Sequence, residues 1–295
     1  MRYCLMSLLA AGLCSCTTLD TAKNLKVTAE QPASEEAVEG NPPKVSFDLS
    51  DWLSTPTDPH PQADEVLLAW IVERDAILAG ETPAFLDWHE DVRGYQKTSD
   101  ASHDPFVKEV YRRIALDQYG RLDGPMSPEA PIVLGARLGF QLDEAGGAAF
   151  SERLMKKLVG IDIDNTAFLQ RELDLRDGRW WTVEEVGADT AHMIWLLIQH
   201  ADQTPSFQQE ALEKMAPLLE SGEVNRNNYA YLWDRVAVAQ HRPQRFGTQG
   251  MCTGPGNWDA FEIEEPVEDV NARRAEFGIK MTFEQNKARL DAICP

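Results

Sequence analysis

Between two histidines, His192 and His200, this chain runs through six consecutive apolar residues, Met193 to Ile198. The run follows Thr182-x-x-Glu185, a capping-box signature that opens a helix. A helix that is apolar on all sides must be covered on all sides. The pattern therefore predicts a buried central helix with other helices packed around it. Polar groups next to such a core need partners, because burying one alone costs roughly 2–7 kcal/mol. His192, His200, Asp202 and, one helix later, Asp234-Arg235 are such groups.

The flanking sequence supplies the covering helices. Apolar residues recur at helical spacing over 62–79, 83–93, 104–120, 132–142, 148–159 and 164–175, with Gly80, Gly94 and Gly120 as stops. Asp104-Pro105 reads as an N-cap followed by proline at the first helical position. Gly146-Gly147 separates two of the segments, and Asp164 is placed to cap another. Thr204-Pro205 opens the helix after the central one. Tyr229, Leu232, Trp233 and Val236 give the next an i, i+3, i+4, i+7 face. The periodicity then changes. Arg245–Cys252 and Trp258–Ile263 alternate weakly around Gly254-Pro255-Gly256, as a small hairpin would. Helices at 267–277 and after the box Thr282-x-x-Gln285 finish the chain. The expected fold is mainly α, a single multi-helix domain over 62–295 with a small C-terminal β-hairpin.

The first residues read as an address. Met1-Arg2 is a short basic region, Leu5–Leu13 is apolar, and small Ser15 precedes Cys16. That is a secretory signal over residues 1–15, too short to span a bilayer, which takes about 20 apolar residues. Leu13-Cys14-Ser15-Cys16 resembles a bacterial lipobox, which would make Cys16 the lipidated first residue of the mature chain. Thr17 follows it where an aspartate would mark inner-membrane retention, so the expected location is the periplasmic face of the outer membrane. Residues 16–61 are acidic and rich in proline, the composition of a tether, with Phe47, Leu49, Trp52 and Leu53 as a short docking anchor. Export would place Cys252 and Cys294 where a disulfide persists.

The formal charge of −20 argues against a nucleic-acid partner and against docking on an anionic membrane through a basic patch. The membrane contact expected is the lipid on Cys16. A small molecule, a peptide or another envelope protein remains open as partner.

The polar groups around the central helix have two readings. As a site, His200, Asp234 and Arg235 would be catalytic, with His200 the acid or base and Arg235 holding an anionic group by its fork. His192, Asp202 and Gln249 would bind ligand. As a structural network, the histidines at the helix ends are simply hydrogen-bonded, one to Asp202, and Asp234-Arg235 forms internal ion pairs. His192 and His200 lie roughly 80° apart on the helix and lack the i, i+4 spacing of helical zinc sites. No metal or cofactor is expected. Asp162-x-Asp164-x-Thr166 matches a phosphatase-type D-x-D-x-T, which needs the end of a strand, whereas this segment reads as the start of a helix.

Several motifs in order carry a family resemblance: Trp195-Leu196, Gln199-His200-Ala201-Asp202, Asp234-Arg235-Val236, Gln244 and Gly247-Thr248-Gln249. Over about residues 110–290 the chain resembles an uncharacterised bacterial domain-of-unknown-function family reading W-L-x-x-Q-H-A-D, D-R-V, P-Q-x-x-G-T-Q. The resemblance implies a fold unit and a pocket, with no reaction attached.

Overall fold

The central helix forms, but it starts later than the capping box suggests. In the computed structural model, which describes residues 57, 59–81, 87–122 and 130–294, the Thr182 box caps only a single turn, Val183–Val186. Gly187, at φ +80°, breaks the path, and the central helix runs over Ala188–Gln199. The signal, Cys16, the proposed docking anchor and all of the tether but residues 57 and 59–61 lie outside the described residues, and the last tether residue, Pro61, already begins the first helix.

The helices in order are α1 (Pro61–Leu78), α2 (Asp87–Ala101), α3 (Pro105–Leu122), α4 (Ala130–Arg137), α5 (Glu144–Asp174), α6 (Val183–Val186), α7 (Ala188–Gln199), α8 (Pro205–Met215) and α9 (Arg226–Ala239). Strands β1 (Gly250–Gly254) and β2 (Asn257–Ala260) form the antiparallel hairpin, with Met251 opposite Asp259. Two helices close the chain, α10 (Val267–Glu276) and α11 (Phe283–Asp291). The fold is mainly α with this one two-stranded element among the described residues.

Three glycines behave differently from the sequence expectation. Gly94 lies inside α2 and Gly120 inside α3, so neither is a stop. A Cβ on Gly120 would sit 2.1 Å from Leu158 Cδ2. The glycine is therefore a notch that lets α3 lie close against α5. Gly146 falls in the first turn of α5, where its N–H bonds the true cap, Asp143. The two segments expected at 148–159 and 164–175 are one continuous helix of 31 residues. A glycine or an acidic residue costs a helix interior about 1 kcal/mol or less, which packing along both ends of α5 outweighs. Asp164 is thus mid-helix and exposed, not a cap, and Asp162-x-Asp164-x-Thr166 is helical. That removes the strand end a phosphatase motif requires.

α7 packs against α3, α5, α8 and α9. Met193–Ile198 are all buried, among Val110, Ile114, Phe168, Leu169, Phe207 and Leu232. Each such side chain contributes roughly 1.5–3 kcal/mol relative to exposure. A second apolar cluster joins α1 and the first half of α5 around Trp70, Tyr119, Phe150 and Leu154. At the far end, Cys252 and Cys294 are joined by a disulfide whose Cα atoms lie 5.5 Å apart, beside buried Trp258 and Leu290.

Candidate functional site

Where α7 ends, its last turn meets α3 and α5. His200 Nδ1 lies 3.0 Å from Asp117 Oδ1 of α3, and both groups are buried. Arg121, one turn further along α3, donates to the same Asp117 oxygen through Nε and Nη2, each at 3.2 Å. Its Nη2 also bonds Asp162 of α5. A ligand-type atom from each of Asp117, Asp162 and His200 falls within 4.8 Å of the others. That grouping has the composition of a metal site, but the guanidinium of Arg121 already supplies a cation to both carboxylates.

The electrostatics follow from burial set against these pairs. Burial works to raise the Asp117 carboxyl, and Arg121 and His200 together outweigh it, holding it well below the usual range. Burial raises Asp162 well above that range, against the pull of Arg121 and with a further push from Asp117. The two carboxylates are driven apart, as expected when like charges share a dry site. Burial, then Arg121, lowers the His200 imidazole, with Asp117 pulling the other way. The arrangement favours a neutral His200 beside an ionised Asp117.

The sequence reading joined His200 to Asp202. In the structure the two remain electrostatic neighbours, but each bonds a different partner. Asp202 instead receives both bonds from Arg235 Nη1, at 2.7 and 2.8 Å, and a third from Gln208. Arg235 Nε also donates to Gln199 Oε1 at 3.1 Å. This second set reaches the surface, since the Asp202 side chain is 37% exposed. Burial works to raise Asp202, and Arg235 overcomes it, leaving the carboxyl lowered. Gln199 Nε2 and Arg121 Nη1 are buried without a hydrogen-bond partner.

Asp234 points elsewhere. It is fully buried and accepts from the N–H groups of Arg245, Phe246 and Thr248 and from the Thr248 hydroxyl, at 2.8–3.1 Å. The turn that presents these donors needs Gly247, whose φ is +60° and whose added Cβ would meet Phe283 at 2.6 Å. Burial pushes the Asp234 carboxyl up to about 6, against the four bonds that hold it down. Gln244 reinforces the turn: its Oε1 accepts from Gln249 N at 2.6 Å and its Nε2 donates to Gln249 O. Gln249 is buried, its amide donating to Thr248.

His192 is half-buried at the other end of α7, stacked on Trp195 and 3.3 Å from Asn228 Oδ1, and burial lowers its pKa. The proposed catalytic trio is therefore not one cluster. His200 faces α3 and α5, Asp234 faces the 245–248 turn, and Arg235 bridges to Asp202.

Residues 135–293 match the model of a family of unknown function, DUF6624. The chain belongs to that family. No curated protein and no solved structure matches it. The DUF6624 segment contains Asp162, His200, Asp202, Asp234, Arg235 and the 244–249 turn, whereas Asp117 and Arg121 precede it. These last two were missed by sequence reasoning, and Asp162 was noticed only as part of the D-x-D-x-T pattern. A signal for them exists: Val110, Ile114, Asp117 and Arg121 fall on one helical stripe, an ion pair on an otherwise apolar face.

Proposed function

We propose that this DUF6624 member is a bacterial envelope lipoprotein, lipidated on Cys16 after loss of residues 1–15 and held off the membrane by residues 16–61. Its helical domain acts as a binding or scaffold module, and its buried polar residues brace the fold. Two independent features support export. One is the apolar leader ending in Leu13-Cys14-Ser15-Cys16; the other is the Cys252–Cys294 disulfide at the opposite end of the chain.

The observation that carries the bracing role is the sealing of the polar groups. His200, Asp117, Asp162 and Arg121 are each less than 10% exposed and bonded to one another, while Asp234 spends both oxygens on one backbone turn. A general acid or base must come within about 2.6–3.2 Å of substrate or reach it through one water. A competing reading, a small-molecule or peptide pocket at Asp202, Arg235 and Gln199, draws on the partial exposure of Asp202 and the unpartnered Gln199 amide.

Two measurements test the proposal. Mass spectrometry of the purified chain should show a diacylglyceryl-modified N-terminal cysteine that is lost in Cys16→Ser; an unmodified N-terminus would defeat the anchor. Arg235→Gln should lower the unfolding midpoint while leaving partner capture from envelope extracts intact at low temperature. Loss of capture without loss of stability would favour the pocket.

A further inference from the structure

The same two helices that carry the buried brace form an open cleft nearby, of about 370 Å³, whose lining includes Arg112, Arg113 and Leu116 of α3 and Lys156, Lys157, Gly160 and Asp164 of α5. That volume falls within the usual range for small-ligand sites. The chain has 48 acidic against 28 basic residues, yet four cations and one carboxylate line this cleft. From this inversion of the molecule's charge we infer that the α3/α5 cleft binds a phosphate group carried on a small molecule or a lipid headgroup.

The details suit an anion. Arg113 is buried, its Nη1 donating to Asp164 Oδ2 at 2.6 Å and to Asn165 Oδ1 at 3.0 Å. The Asp164 side chain is 73% exposed. The chain's own carboxylate thus occupies the guanidinium from the solvent side, where an incoming phosphate would exchange with it. Asn165 is 2% exposed, lines the cleft, and its Nδ2 has no partner. An unpaired buried donor beside a cationic pocket is the kind of group a phosphate oxygen satisfies. Lys157 is exposed and has no partner among the described residues. Gly160 sits in the interior of a long helix, where glycine is unfavourable, and a Cβ there would touch nothing within 4 Å. No packing demand explains that glycine, which lines the cleft. Charges opposing the site are Glu109, which chelates Arg112 at 2.6 and 2.7 Å and contacts Arg113, and Glu152, which pairs with Lys156. They leave Lys157, together with the displaceable Arg113–Asp164 bond, as the groups that attract the ligand.

The inference is independent of the lipid anchor and of the bracing role. Its test is titration of the full-length Cys16→Ser chain with inorganic phosphate at constant ionic strength, followed by amide resonances. Saturable shifts are expected at Lys157, Gly160 and Asn165. Lys157→Gln should weaken binding by about tenfold, the loss of one charge-assisted contact. Asp164→Asn should strengthen it several-fold, because the internal competitor is gone. A purely structural Arg113–Asp164 pair predicts no gain. Cosedimentation with phosphatidate-containing vesicles, against phosphatidylcholine alone, separates the sources. Vesicle binding that free phosphate competes away marks a headgroup; shifts with free phosphate and no vesicle binding mark a soluble ligand. No saturable shift at these amides and no vesicle binding, or shifts that chloride reproduces, overturns the inference. So does Asp164→Asn binding no better than the parent.

Discussion

Arg121→Met removes the guanidinium that bonds both buried carboxylates while keeping most of the side-chain volume. Arg121 is 6% exposed, and its three bonds go to Asp117 twice and Asp162 once. Bonds to charged groups are worth roughly 1.5–3 kcal/mol each net of water. The full sum is not lost, because Asp162 takes up a proton instead of remaining charged beside Asp117. Breaking a buried pair from one side costs about 3–5 kcal/mol. Set against a total stability of roughly 5–15 kcal/mol, that is a large fraction. For a domain of this size each kcal/mol moves the midpoint by about 2–4 °C, so Tm should fall by about 6–20 °C. Urea unfolding followed by far-UV circular dichroism measures the loss directly.

The pH dependence sharpens this prediction. In the parent, the depressed Asp117 carboxyl contributes stability that is present above its ordinary 3.8 and lost as pH falls through its folded value. Asp162 is raised in the parent already, so the difference lies in Asp117: without Arg121 burial raises its carboxyl, and the folded variant binds that proton more readily than its unfolded chain and gains stability as pH falls toward 3.8. The deficit of Arg121→Met should therefore shrink between neutral pH and about pH 5. A loss below about 1 kcal/mol, or a deficit that grows on acidification, would refute the bracing role.

Asp234→Ala strands three backbone N–H groups and a hydroxyl in the 245–248 turn. It should cost about 3 kcal/mol or more, at 1–3 kcal/mol per unsatisfied group with partial relaxation, and should speed hydrogen exchange at Arg245, Phe246 and Thr248. His200 has a pKa lowered from 6.5, chiefly by burial, so the folded state takes up its proton less readily than the unfolded chain. Its contribution falls as pH drops below 6.5, and the stability gap between parent and His200→Gln should narrow on acidification in urea titrations; a widening gap would contradict it. Gly160→Ala should raise stability by about 0.5–1 kcal/mol, since its Cβ meets nothing within 4 Å. Cys294→Ser opens a loop of sequence separation 42 and should cost about 2–4 kcal/mol, read as a lower urea midpoint.

Much of the candidate site was legible as residue types and little of it as partnerships. His200, Asp202, Asp234 and Arg235 stand out because they are polar beside apolar runs. Which group each one meets is a matter of distances across 83 residues for His200–Asp117 and 33 for Arg235–Asp202. Helical periodicity assigns a side chain to a face and carries no information on which other helix covers that face. Gln249 was read as a ligand-binding residue. Its N–H goes instead to Gln244 Oε1 and its side-chain amide to Thr248, which in turn holds Asp234 of the same chain.

From sequence alone came the features that depend on neighbours a turn or two away. These are the helical class, the Thr182 and Thr282 capping boxes, the proline-started helices, the burial of Met193–Ile198 and the hairpin around Gly254-Pro255-Gly256. Tertiary structure decided the rest. It carried α5 unbroken through Gly160 and Asp164, used Gly120 as a packing notch, and set Asp117, Arg121, Asp162 and His200 against one another. The reason is one of magnitude. Local preferences amount to about 1 kcal/mol per residue at most for anything but proline, whereas burying an apolar side chain or breaking a buried pair is worth two to five times as much. Wherever the two disagree, the packing wins.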